Sequence, residues 1–185
     1  MELSLAQDIG QRLVEAIKPA VSRVEVAGSV RRKKANVKDV ELCCVVTDYE
    51  RLFEELKKHG RFIKPGVPDV IDWPPTVGAK YLRMMLKEDV KCDVFIATPV
   101  NWGGIFCMRT GSAVGEDGNV WSGFIPQLYR KFKKVSDGGM MTGGQPTLPD
   151  GTVLPVPEEI DVFNLCKVHW VEPELRNNCK SIKSL

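Results

Sequence analysis

The eight residues DVELCCVV, from Asp39 to Val46, ask two things of a fold that are hard to satisfy together. From Val40 onward they are apolar enough for a strand buried on both faces, the kind found inside a sheet covered by helices. They nevertheless open with two carboxylates. Side chains at i and i+2 of a strand share a face, so Asp39 and Glu41 project together, and Cys43 and Val45 follow them into the core.

The same pattern recurs in VKCDVFIATP, where Asp93 shares a strand face with Phe95 and Ala97. If these two strands are neighbours, Asp39, Glu41 and Asp93 converge at one sheet edge. Like charges that close repel unless a cation neutralises them. Hard oxygen donors suit Mg²⁺ or Mn²⁺, which also bind phosphates. Ten residues before Asp39 and Glu41 lies the turn Gly28-Ser29, followed by Arg31, Arg32, Lys33, Lys34 and Lys38. Glycine admits close approach of an anion, serine adds a hydroxyl, and a guanidinium grips phosphate oxygens bidentately. The expected arrangement is a turn holding a triphosphate beside carboxylates that hold two metals, able to activate a hydroxyl and stabilise leaving pyrophosphate. It is not a P-loop, because the second Gly and the Lys-Ser/Thr are absent. Each feature alone is ordinary; their order along the chain carries the reading.

Other segments set the frame. Leu5, Ile9, Leu13 and Ile17 predict one face of a helix that Pro19 ends, and RVEVAGS a short strand running into a turn. Thr47 and Glu50 suggest a capping box for YERLFEELKKHG, with Gly60 as its stop. Residues 61–79 read as a loop with a short strand, and KYLRMMLK pairs with VKCDVFIATP through a polar turn. Beyond Pro99 the texture becomes Gly-rich, then FIPQLYRKFKK forms a basic helix. VSDGGMMTGGQPTLPDGTVLPV reads as a hairpin turning at Pro-Asp-Gly, PEEIDVFNL as a short helix, and RNNCKSIKSL as a frayed tail.

The 185 residues suffice for one domain or two small ones, and 43% hydrophobic content is ordinary for a globular protein. A net charge of +2 gives no bulk case for nucleic acid, so any such case is local. The six cysteines form no CxxC pair, which points to a reducing compartment without a disulfide framework. No signal peptide or membrane span is expected.

GSVRR followed by DVE, then VKCDVF, RTGS and PEEIDVFNLCKVHWVEPELR, resembles the DNA polymerase X family of polymerase beta-like nucleotidyltransferases across nearly the whole chain. The resemblance implies an α/β (α+β) fold: a palm over 1–99 with a mixed sheet backed by two helices, and an α+β nucleotide-binding subdomain over 100–185. It implies a small repair-type or gap-filling DNA polymerase using Mg²⁺ or Mn²⁺. Asp39, Glu41 and Asp93 would be the metal ligands, with Asp93 facing the primer hydroxyl. Gly28, Ser29, Arg32 and Lys38 would hold the triphosphate. Thr110, Gly111 and Ser112 would line the sugar, with Arg109 beside them where the family has an aromatic residue. Lys91 would lie near the primer end, and Lys131 and Lys134 on the DNA path. Glu41 stands where the family has a second Asp, and Met108-Arg109 where it has Tyr-Phe. The chain resembles the minimal members of some viruses and phages, so neither a lyase domain nor helix-hairpin-helix fingers are expected. A monomer inside the cell, in the host cytoplasm if viral, is the matching expectation.

Transfer to another acceptor (RNA, protein or a small molecule) and a non-catalytic nucleic-acid-binding module are the rival readings. Of Trp73, Trp102, Trp121 and Trp170, Trp102 in the Gly-rich segment is the candidate for stacking on a base.

Overall fold

The computed structural model describes residues 1–64, 66–67 and 72–185, and the chain divides into two units, Met1–Thr98 and Pro99–Leu185. The first unit runs α1 (Leu3–Ile17), β1 (Val21–Val26), α2 (Gly28–Arg31), β2 (Asp39–Val46), α3 (Tyr49–Lys57), β3 (Gly60–Ile63), β4 (Tyr81–Leu86) and β5 (Lys91–Ala97). Its five strands form one mixed sheet in the order β1-β2-β5-β4-β3, with β2 and β5 parallel and every other pair antiparallel. This is an α+β fold.

Alternation along the strands builds the core. Val40, Leu42 and Cys44 of β2, Cys92, Val94 and Ile96 of β5, and Leu82, Met84 and Leu86 of β4 pack with Ile9, Leu13, Val14 and Ile17 of α1 and Leu52, Phe53 and Leu56 of α3. Truncating any of the larger ones to alanine costs about 2–5 kcal/mol.

Several local expectations change. Leu5 is exposed, and the buried face of α1 runs through Ala6, Ile9, Gly10, Leu13, Val14 and Ile17. The cap of α3 is Asp48, whose side chain accepts the Arg51 N–H, rather than Thr47. Gly60 does not stop α3; it opens β3 opposite Leu86, where a Cβ would lie 2.3 Å from the Met85 carbonyl oxygen. Of the loop expected over 61–79, residues 65 and 68–71 lie outside the described residues.

The second unit comprises α4 (Trp102–Thr110), α5 (Phe124–Val135), β6 (Met140–Thr142), β7 (Gln145–Thr147) and α6 (Glu159–Leu165). The Gly-rich segment is therefore a helix in its first half: Gly103 and Gly104 let α4 lie against the backbone of Glu158 and Gly144. The hairpin turns at Gly143-Gly144, not at Pro149-Asp150-Gly151, which makes a second turn bridging Thr147 to Val153. The tail is not frayed. It returns to pair Ser184 with Val168, and Arg176 is fully buried. The Arg176 guanidinium donates to Glu159 Oε1 at 2.7 Å and to the Val171 carbonyl at 2.8 Å, with Trp170 and Phe163 stacked 4.6 and 5.0 Å away. None of the described helices is long and apolar enough to cross a membrane.

All six cysteines are unpaired thiols and five are buried, Cys179 being the half-exposed one. Burial pushes the thiols of Cys44 and Cys166 up to about 12 and raises that of Cys92 as well. Raised thiols stay protonated and unreactive at ordinary pH. A thiol reagent at pH 8 should therefore modify Cys179 quickly and the other five only on unfolding. Rapid reaction of more than one thiol in the native protein would contradict the packing.

Candidate active site

The parallel register of β2 and β5 sets Glu41 directly beside Asp93 and Asp39 beside Lys91. Because Val40, Leu42, Cys92 and Val94 face the helices, Asp39, Glu41 and Asp93 all emerge from the opposite face. Adjacency of the two strands was a condition of the sequence reading, and the sheet meets it. The position differs from the one expected. These are the second and third strands of five, so the acids stand in the middle of the sheet, near the starts of both strands, and not at its edge. The outer positions are taken because β1 pairs with β2 and β4 pairs with β5.

Asp39 is half-buried, and its carboxyl is pushed up from the usual carboxylate range by burial first and by the charge of Asp93 second, with Arg83 partly offsetting both. The shift thus marks a carboxyl withdrawn from water with a second acid beside it. Asp93 itself is buried. Directly opposite it on β4 stands Arg83. Arg83 Nε donates to Asp93 Oδ1 and Nη2 to Oδ2, both at 2.7 Å, and the Tyr81 hydroxyl donates to Oδ1 at 2.8 Å. The Asp93 hydrogen bonds hold Arg83's proton more tightly than usual. Oδ1 thus has both acceptor positions filled, whereas Oδ2 accepts from Arg83 alone and keeps one.

Glu41 leans over the turn that precedes it. Its Oε2 lies so near the Cα of Gly28 that a Cβ there would come within 1.9 Å, and Gly28 holds a φ of +64°. The Gly28-Ser29 turn is a single helical turn, α2, joined to β2 by the Ala27 N–H donating to the Glu41 carbonyl at 2.8 Å. Val30 anchors it among Ala6 and Val37. Ser29 is half-buried and Lys38 exposed. Arg32 follows at the C-terminal end of α2 and is partly buried; burial lowers its proton affinity and the charge of Glu41 raises it, so the guanidinium lies within electrostatic reach of Glu41. Lys91 is exposed at the start of β5.

No family model matches the chain, and no curated protein matches it either. The functional reading therefore rests on these residues and on the motifs that the sequence carries.

The remaining residues named from the sequence belong to the second unit. Thr110 is fully buried at the end of α4 and Gly111 caps that helix. Ser112 is tied into the unit's framework: its hydroxyl accepts the Phe124 N–H at 3.1 Å, and its own N–H donates to the Arg176 carbonyl at 2.9 Å. Arg109 is half-buried. Lys131 donates to the Ser184 hydroxyl at 2.7 Å, and Lys134 is exposed. Trp102 is only 1% exposed and packs on Phe106, so it is a core residue and not a stacking platform.

Arg83 and Tyr81 are the residues that sequence reasoning missed. The signal was present: in YLRMML an arginine interrupts an apolar strand paired with the one that carries Asp93. Arg83 pairs with the third acid, Asp93, at 2.7 Å.

As placed, no three His, Cys, Asp or Glu side chains among the described residues close around a single ion position. The donor chemistry nonetheless fits Mg²⁺ or Mn²⁺: carboxylates of Asp39 and Glu41 two residues apart on one face, and the remaining acceptor position of Asp93 Oδ2.

Two outcomes follow. Asp39→Asn should raise the thermal midpoint of the metal-free protein at neutral pH. A carboxyl raised on folding opposes stability while it is ionised, so the gain should shrink as pH falls through its folded value and vanish below the ordinary value of 3.8. A gain that persists unchanged at lower pH would mean that charge is not its source. Gly28→Ala should cost at least about 1–2 kcal/mol by urea unfolding from its left-handed backbone alone, before any displacement of Glu41.

Proposed function

We propose that this chain transfers a nucleotidyl group from a nucleoside triphosphate to a DNA 3′-hydroxyl, as a small repair-type or gap-filling polymerase. The observation that carries the proposal is the in-register pairing of Glu41 with Asp93, with Asp39 on the same face and the Gly28–Arg31 turn laid against Glu41. The resemblance of GSVRR, DVE and VKCDVF to family X agrees with it.

In this mechanism Asp39, Glu41 and Asp93 would hold Mg²⁺ or Mn²⁺ between them. Such ions, when bound, polarise phosphoryl oxygens and stabilise both the attacking and the leaving oxygen. Arg32, partly withdrawn from water, grips phosphate oxygens more strongly than an exposed arginine can. Ser29 and the backbone of its turn add donors. Arg83 and Tyr81 hold Asp93 in one orientation, so that the remaining acceptor position of Oδ2 is directed at a fixed point. Bidentate pairing to a planar guanidinium suits that task because it removes the rotation of the carboxylate. The protein would act inside the cell, as a monomer, with a nucleoside triphosphate and primed or gapped DNA as partners.

The test is incubation with Mg²⁺ or Mn²⁺, each labelled nucleotide in turn, and primer alone, primer–template or gapped DNA. Transfer to DNA is expected, and Asp39→Ala, Glu41→Ala and Asp93→Ala should each abolish it while the protein stays folded by circular dichroism. Arg32→Ala should weaken nucleotide binding from several-fold to about a hundredfold, the worth of a charge-assisted hydrogen bond. Transfer to RNA or a small molecule instead would replace the acceptor. Normal turnover in Asp93→Ala would remove the site.

A further inference from the structure

We propose that Trp121 and the basic face of α5 form a docking surface for an unpaired strand of DNA. The indole is 60% exposed, an unusual state for so large an apolar ring. It is also held still. The turn Val120–Ser122 that carries it is capped by Asn119, whose Oδ1 accepts the Trp121 N–H at 2.9 Å. Gln127 Nε2 donates to the Trp121 carbonyl, and the Ser122 hydroxyl donates to Asp117. The Arg130 guanidinium stacks on the ring, 4.1 Å from its centroid. A guanidinium covers one face of an indole, so the exposure belongs to the other.

Charge decides the occupant. Helix α5 carries Arg130, Lys131, Lys133 and Lys134 and no acid at all, in a chain whose net charge is only +2. Arg130 and Lys134 are four residues apart and therefore neighbours on the helix surface. The turn before the helix holds two exposed acids, Glu116 and Asp117; Asp117 is engaged within its own loop, accepting from Ser122 Oγ and from the Asn119 N–H, against four cations on α5. A flat aromatic face beside a row of cations fits a polyanion with exposed rings. Base stacking on such a platform is sequence-tolerant, and cations track the phosphates. A duplex offers the phosphates but hides its base faces, so the fit is to an unpaired strand. The choice of DNA rests on the reading proposed above.

The test is binding of a short labelled oligo(dT) to the full chain by fluorescence anisotropy at low salt, compared with an abasic strand of equal length, a blunt duplex, oligo(U) and a poly-glutamate peptide. Trp121→Ala should weaken oligo(dT) binding by about 5- to 100-fold, the loss expected for one stacked base. It should leave abasic and duplex binding unchanged. Trp121→Phe should retain part of the affinity, and its thermal midpoint separates lost stacking from lost folding. Arg130→Glu should weaken every polyanion. Four results would overturn the surface: oligo(dT) affinity within about twofold of wild type in Trp121→Ala, an equal loss on the abasic strand, tighter binding of oligo(U), or equally tight binding of poly-glutamate. Trp121-dependent binding without nucleotidyl transfer would remove the enzymatic reading alone. Transfer with binding indifferent to Trp121 would remove the surface alone.

Discussion

The parallel pairing of β2 with β5 is the constraint on which the first unit depends. Parallel neighbours need a long crossover, and here α3, β3 and β4 supply it. The register cannot drift. A slip of one residue would turn Val94 or Leu42 out to the acidic face and send Asp93 or Glu41 into the core among Leu13, Leu52 and Met84. The cost of that exchange keeps Glu41 beside Asp93. Burial of the apolar face and convergence of the carboxylates are therefore one constraint seen from the two faces of the sheet.

Arg83 makes the buried third carboxylate tolerable. An isolated buried Asp would either be strongly destabilising or take up a proton. The fork of Arg83 and the hydroxyl of Tyr81 meet both oxygens of Asp93, and Tyr81 is itself stacked on Phe95 at 5.1 Å. Removing the arginine alone would leave a buried charge unmatched, which costs more than the pair contributes. Asp39 is raised by burial first and by the charge of Asp93 second, and Arg83 offsets these only in part.

The second unit is organised around Arg176. Its guanidinium has no exposure: Glu159 and the Val171 carbonyl meet Nη1 and Nε, Phe163 and Trp170 lie against its faces, and Nη2 is left without a hydrogen-bond partner among the described residues. Its carbonyl then holds the Ser112 N–H, and the Ser112 hydroxyl holds the start of α5. Thr110, Gly111 and Ser112 thus have a framework role within this unit, whatever ligand they meet.

How much was legible follows from the range of each interaction. Strand alternation placed Asp39 with Glu41, and Asp93 with Phe95, because a period of two is a local property. The bounds of β2 and the basic helix α5 were readable for the same reason. The cap of α3 was misread at Thr47 because Asp48, one residue later, takes the same role. The turn of the hairpin was misplaced because Gly143-Gly144 and Pro-Asp-Gly are both good turns, and pairing of Met140 with Thr147 selects the first. The sequence by itself determined the amphipathic strands, the acids on them and the glycine turn before them, since these depend on neighbours along the chain. Only the tertiary structure decided that β2 lies beside β5 in the middle of the sheet, that Arg83 meets Asp93, and that Trp102 is core while Trp121 is not. Those outcomes depend on which distant strands and helices share a register and a core, and no local pattern encodes that choice.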